Sequence, residues 1–278
     1  MRVPKPRTIS TLPTHIGLAI VNVVSITHLA NNGLTVDIDA DDGARITSFI
    51  VDNAEFLRPR VANTFEWGLY AMVPYAGRVR DATFAFNGTT HDLPAVTNRH
   101  ALHGTVMHAA WTRTRFGDSS AVFETSLGKD WPFRGDCTHA ISLLQDRLRC
   151  ELSITAHEDM PVQLGWHPWF RQGVAHTDFN AMLQRDSDGI TTSERVTPAT
   201  QNIDDCFLEP NSWPRVVVGT TTLEIASDCP FWVRYDAPSG DVCIEPQSGP
   251  PNGINDAPLV LKAGETFSRW MELRVVMD

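Results

Sequence analysis

Leu148, Cys150, Leu152, Ile154 and Ala156 alternate with Arg147, Arg149, Glu151, Ser153 and Thr155 without a break. Successive side chains of an extended strand point to opposite faces, so this stretch separates apolar from polar groups only as a strand. The same alternation returns in Leu34, Val36 and Ile38 against Thr35, Asp37 and Asp39, and in Met271, Leu273 and Val275 against Glu272 and Arg274. Each pattern predicts a sheet with one buried and one wet face. Turn signals stand between the runs: Asn32-Gly33, Asp42-Gly43, Asn87-Gly88 and Ser239-Gly240. Asn-Gly and Asp-Gly accept the positive φ angles of tight hairpins, and Phe84-Ala85-Phe86-Asn87-Gly88 predicts one such hairpin. No long amphipathic helix, internal repeat or interdomain linker interrupts the pattern. The chain reads as all-β, one large antiparallel domain, and its 278 residues suit a sandwich or barrel of that size.

Charge narrows the function. The 33 acidic residues exceed the 23 basic ones, for a net charge of −10. Such a surface repels phosphates, so neither nucleic acid nor an anionic membrane is an expected partner. The five cysteines, Cys137, Cys150, Cys206, Cys229 and Cys243, are scattered and form no Cys-x-x-Cys pair. Structural zinc and dithiol redox chemistry are therefore not expected, and free thiols point to the reducing cytoplasm. Arg2, Lys5 and Arg7 ahead of an apolar run at 16–26 imitate a secretory signal. Asn22 and Ser25 interrupt that run and no small-x-small cleavage site follows, so the expectation is a Pro-rich N-terminal arm over 1–22 and a folded domain over 23–278. No segment is long and apolar enough to span a bilayer.

Five segments carry groups with chemistry to offer. His100-Ala101-Leu102-His103-Gly104 is followed by His108 and Trp111. Gly165-Trp166-His167-Pro168-Trp169-Phe170 sets a histidine among large aromatics. Aromatic faces pack against the C–H face of a sugar, and histidine exchanges protons near neutral pH; an aromatic core around a hydrogen-bonded histidine reads equally well. In Val242-Cys243-Ile244-Glu245-Pro246-Gln247 a carboxylate ends an apolar strand. Partial desolvation there raises a carboxyl toward the range of a general base, whereas an edge glutamate would simply face water. Pro74-Tyr75-Ala76-Gly77-Arg78-Val79-Arg80 offers two arginines, and Ile203-Asp204-Asp205-Cys206-Phe207 an acidic pair. Neighbouring residues of a strand face opposite ways, so one aspartate of the pair is expected at any site.

Taken in order, Gly77-Arg78-Val79, Leu102-His103-Gly104-Thr105, His167-Pro168-Trp169-Phe170, Asp204-Asp205-Cys206-Phe207 and Ile244-Glu245-Pro246-Gln247 resemble the aldose 1-epimerase (galactose mutarotase) family. Each motif alone is weak; the ordered set, from about Val23 onward, is specific. The resemblance implies a large antiparallel β-sandwich of the galactose mutarotase-like supersandwich type. It also implies interconversion of the α and β anomers of an aldose with no metal or cofactor, by a monomer or homodimer. On this resemblance Glu245 is the base at the anomeric hydroxyl and His167 the acid at the ring oxygen. His103 and Arg78 steady the ring oxygen and neighbouring hydroxyls, Asp204 holds sugar hydroxyls, and Trp169 and Gln247 complete the substrate contacts. The chain departs from the family at Gly77 (for Asn), Thr105 (for Gly), Trp169 (for Tyr) and Arg171 (for Asn).

Three other readings compete. A hexose-6-phosphate 1-epimerase would use Arg80, Arg99 and Arg171 to grip phosphate in bidentate fashion. A carbohydrate-binding module would share the fold but would not need both His167 and Glu245. A metal enzyme would need His100, His103 and His108 together, yet their odd spacing puts His100 and His103 on opposite strand faces.

Overall fold

The computed structural model describes residues 26–96 and 99–276; the arm expected at 1–22 lies outside them. The period-two stretches all become strands, and every strand ladder is antiparallel. The larger sheet runs in the order Ile26–Asn31, Leu34–Asp39, Arg45–Val51, Leu69–Met72, Gly165–Phe170, Val242–Gln247, Phe231–Asp236, Asp204–Pro210, Phe179–Arg185 and Thr191–Val196. The second sheet runs Thr112–Phe116, Ser120–Ser126, Gly135–Leu143, Arg147–Ala156, Thr266–Val276, Thr221–Ser227, Arg215–Val218 and Val174–His176. The α-helix among the described residues, Gly253–Asp256, is a single turn, and no described helix is long and apolar enough to cross a membrane.

The sheets stack on their apolar faces. Leu148, Cys150, Leu152, Ile154 and Ala156 from the smaller sheet meet Trp166, Phe170, Val242 and Ile244 from the larger one in one continuous core. Burying apolar surface at roughly 25 cal/mol per Å² makes this seam the main source of stability. The predicted hairpin forms as Thr83–Phe86 paired with Thr89–Asp92, with Asn87 at φ 50° and Gly88 at φ 78° in the turn. All five cysteines are free and buried.

The centre of the larger sheet differs from the alternating strands. Gly165–Phe170 and Val242–Gln247 are buried at every position, so neither has a wet face. Trp166, Phe170, Val242 and Ile244 pack toward the second sheet. Loops cover the alternate set, Gly165, His167, Trp169, Cys243, Glu245 and Gln247. A strand covered on both sides loses the polar alternation that marks a one-sided strand.

His139 lies inside the seam, fully buried, and its Nε2 accepts the indole N–H of Trp166 at 3.3 Å. Burial pushes its pKa down to about 3, so it stays neutral in the folded protein. As pH falls below the ordinary histidine value of 6.5, the unfolded chain takes up a proton that the folded one refuses, and stability falls until the folded value is reached. One such group tilts stability by about 1.4 kcal/mol per pH unit. His139→Gln keeps an acceptor for Trp166 and removes the titration. Urea unfolding between about pH 6 and pH 4 should therefore lose about 1.4 kcal/mol per unit of its slope relative to the native chain; an unchanged slope would show that His139 is solvated.

Candidate active site

The loop-covered face of the larger sheet holds a cavity of about 260 Å³. Its floor is fixed by strand register. Gly165 pairs with Gln247 and Trp169 with Cys243, which sets His167 opposite Glu245 on the intervening rung. Side chains directly opposite on one face of an antiparallel pair sit within contact distance. His167 Nε2 and Glu245 Oε1 are 3.2 Å apart, at 5% and 2% residue exposure. Glu245 Oε2 accepts a hydrogen bond from Gln247 Nε2 at 3.1 Å. Period two brings Cys243, Glu245 and Gln247 to the same side, as it does Gly165, His167 and Trp169.

The imidazole of His167 packs against two aromatic rings. Tyr70, its cross-strand partner on the other side, lies at 4.9 Å and 28°, and Trp169 at 5.5 Å and 10°. The guanidinium of Arg45 lies over the Tyr70 ring at 4.7 Å, and that of Arg58 over the Trp169 ring at 5.4 Å. Cations over aromatic faces are attracted by the ring quadrupole. The Arg45 side chain is fully buried and is held by the Trp67 carbonyl at 2.9 Å and Asp42 at 3.4 Å.

Electrostatics follow from this burial. Desolvation, with the Asp204 charge adding to it, drives the Glu245 carboxyl well above the ordinary carboxylate range. Desolvation, reinforced by His103 and Arg45, drives His167 well below the ordinary histidine value. Both shifts oppose net charge on the same buried rung. The state of the pair with one proton between the two groups is therefore the favoured one.

His103 closes the cavity from above. Its ring meets His167 edge-on at 4.9 Å, and burial, then the Arg78 charge, lowers its pKa to about 3. The backbone that delivers it is tightly constrained. His103 has φ 59° and Gly104 φ 84°, and a Cβ on Gly104 would lie 2.0 Å from the Val73 carbonyl oxygen. Only glycine fits there. Thr105, at the family's second glycine, donates its hydroxyl to the Leu127 carbonyl at 2.8 Å. Gly77, at the family's Asn position, has φ 70° and the Pro251 ring 2.8 Å from where its Cβ would be.

The outer wall is charged and mostly self-paired. Asp204 contacts Arg185 at 2.7 Å and Arg78 at 3.8 Å, while Asp205 takes the Arg185 Nε at 2.9 Å. Both aspartates line the cavity, where one was expected. They begin their strand beside the end of Phe179–Arg185, and one guanidinium spans the two carboxylates. Glu66 and Tyr235 also line the wall.

Several residues singled out from sequence lie elsewhere. Arg80 pairs with Asp186 and, at 3.0 Å, Asp188; Arg99 pairs with Asp188 at 2.8 Å and Asp81 at 2.7 Å. Arg171 is exposed and does not line the cavity. His100 Nδ1 accepts the Asp81 N–H at 3.0 Å and His108 Nδ1 contacts Asp42 at 2.9 Å, so the three histidines do not converge. Sequence reasoning missed Tyr70, Arg45 and Arg185. No local motif marks them; Tyr70 and Arg45 act through the strand next to His167.

The sequence matches the aldose 1-epimerase family model over residues 25–274, and the chain belongs to that family. No curated protein matches it. Among solved structures it is similar to a provisionally assigned aldose 1-epimerase of Escherichia coli K12, at 21% identity and a TM-score of 0.80 over 91% of this chain and 99% of that one. It is also similar to the GalM/aldose epimerase homologue of C. elegans (14%, TM-score 0.79, 90% and 98% covered). A third likeness is galactose 1-epimerase of Lactobacillus acidophilus NCFM (16%, 0.77, 90% and 94%). At these identities the likeness is one of fold: the galactose mutarotase-like β-sandwich.

Gly104→Ala should cost about 1–3 kcal/mol, the scale of one residue forced against its backbone, and should displace His103. Differential scanning calorimetry measures the first. Loss of sugar affinity beyond the loss of folded protein measures the second, and a variant as stable as the native chain would refute the close approach.

Proposed function

We propose that the protein is an aldose 1-epimerase that interconverts the anomers of a neutral aldose, with Glu245 and His167 as its proton-transfer pair. The observation that carries this reading is the 3.2 Å contact between the two groups on one buried rung. In a hemiacetal the hydroxyl and the ring oxygen share one carbon, so an acid and a base that serve it must stand side by side.

The reaction then conserves the charge of the pair. In the sugar complex the shared proton lies on His167 and Glu245 is ionised. Glu245 takes the proton of the anomeric hydroxyl as His167 gives its own to the ring oxygen, and the C1–O5 bond breaks to leave the open-chain aldehyde. Rotation about C1–C2 and the reverse transfers close the ring as the other anomer. The pair holds one proton before and after, so each step avoids net charge in a buried site. Gln247 orients the Glu245 carboxylate. His103, neutral through burial, is suited to donate or accept a hydrogen bond at the ring oxygen, and Arg78 and Asp204 to hold outer hydroxyls. Trp169 chiefly braces His167, with its edge on the cavity.

A phosphorylated substrate fits this wall poorly. Glu66, Asp204, Asp205 and Glu245 line it against Arg78 and Arg185, and Arg80, Arg99 and Arg171 are engaged or distant. A charge-assisted phosphate contact is worth about 1.5–3 kcal/mol, and among the described residues the arginines that line the cavity, Arg78 and Arg185, already face aspartates.

Glu245→Gln should lower the mutarotation rate of freshly dissolved pure anomers by about 10²–10⁴-fold, the contribution of a positioned base, with sugar binding retained. His167→Asn should lose a comparable amount, and the double variant little more, because the two act in one event. Polarimetry with the spontaneous rate subtracted gives the rates. A Glu245→Gln variant within about tenfold of the native rate would fall below the floor for general-base catalysis and sink the assignment.

The pH profile follows from the same shifts. Activity needs the one-proton form, so it should hold a broad plateau around neutrality. It should fall in acid as the lowered His167 value is crossed and a second proton binds. It should fall in alkali as the raised Glu245 value is crossed and the last proton leaves. A narrow bell centred between the ordinary carboxylate and histidine values would contradict the shared proton. Arg171→Ala should leave KM unchanged for neutral sugars.

A further inference from the structure

Cys243 takes no part in the chemistry above, yet it is fully buried in the same strand as Glu245 and two residues before it. Its rung, paired with Trp169 on one side and Tyr235 on the other, is next to the rung of His167 and Glu245. A ring nitrogen of His167, the Sγ of Cys243 and a carboxylate oxygen of Glu245 all lie within 4.8 Å of one another. Among the described residues no other set of three such side chains converges in this way.

The combination is chemically selective. Imidazole, thiolate and carboxylate are the ligands of tetrahedral Zn²⁺, whereas Mg²⁺ and Ca²⁺ prefer oxygen alone. Sites built on strands hold their geometry better than sites on loops, and these three donors come from two adjacent central strands. His167 and Glu245 both line the cavity, which leaves an open position for water as a fourth ligand. The carbonyl-side oxygen of Gln247, buried and without a partner, borders the same space. We propose that His167, Cys243 and Glu245 form an inhibitory site for a thiophilic divalent cation, Zn²⁺ foremost, which excludes the sugar by occupying the groups that would move its protons.

The proton balance is explicit. Zn²⁺ binds the Cys243 sulfur as thiolate, so the thiol proton leaves to solvent. It binds His167 and Glu245 as neutral imidazole and carboxylate, so their shared proton leaves as well. Binding thus releases about two protons per ion, and no oxidant or reductant is involved. The site itself rests on geometry; that it inhibits rests on the proposed epimerase reading.

Calorimetric titration of the chelator-stripped full chain with ZnCl₂, in buffers of different ionisation enthalpy, tests the site without any activity assay. One ion per chain and release of about two protons are expected, with affinity lowered by a saturating aldohexose. Cys243→Ala should raise Kd by about tenfold or more while keeping mutarotation in the presence of chelator. Cys243→Ser, closer in volume and a poorer zinc ligand, serves if the alanine variant folds badly. Co²⁺ added to the native chain should give a thiolate-to-metal charge-transfer band that needs no variant. An absent saturable site, an absent cobalt band or an unchanged Kd in either variant would overturn the proposal. Cys243-dependent binding in a protein that shows no mutarotation would uphold the metal site and defeat the epimerase reading; full turnover with zinc bound would defeat the inhibition.

Discussion

The refusal of the buried rung to carry net charge organises this molecule. His167 and Glu245 are largely withdrawn from water, so the favourable states of the pair are those with one proton between them. That condition would be useless if the two groups could swing apart. Sheet register prevents it, and the Tyr70 and Trp169 rings packed against the imidazole fix its plane as well as its position. The Arg45 guanidinium, over Tyr70, adds positive potential that opposes a second charge on the ring.

Charged groups of another kind surround this centre. Arg78, Arg185, Asp204 and Asp205 neutralise one another around the cavity wall, so the wall is polar with little net field. The network of Arg80 and Arg99 with Asp81, Asp186 and Asp188 ties the segment after Arg185 to the segment after Arg78 across that wall. Exposed pairs of this kind contribute little each; their role here is to keep two rim segments in one arrangement.

Much of the fold is legible in the sequence because period two is a local property. Leu148 to Ala156 declares its buried face without reference to any other residue, and Asn87-Gly88 declares its turn. The candidate site is legible only in part. His167 and Glu245 stand out through their neighbours and through the ordered resemblance, but their pairing rests on a register between strands far apart in the chain. Tyr70 and Arg45 could not be read at all: an aromatic residue and a solitary arginine look the same whether they brace an imidazole or a distant corner of the core. The place of Gly165–Phe170 in the fold was hidden for a related reason. Burial on both faces erases alternation, so Gly165–Phe170 reads as an aromatic cluster and not as the middle of a sheet. Asp204 and Asp205 show the limit of strand logic at a strand's first residues, where a long arginine reaches both sides.

The register that aligns the site also restricts how the chain can change length. A strand has only two faces, so one residue inserted into or deleted from Val242–Gln247 exchanges them: Ile244 and Pro246 would move to the cavity floor, and Glu245 would point into the seam between the sheets. The same holds for Gly165–Phe170, where Trp166 would replace His167. No gradual path exists between the two arrangements. The rim, built from turns and short ladders, carries no such parity. The rim can therefore vary in length, while the rung of His167 and Glu245 does not survive a shift of frame.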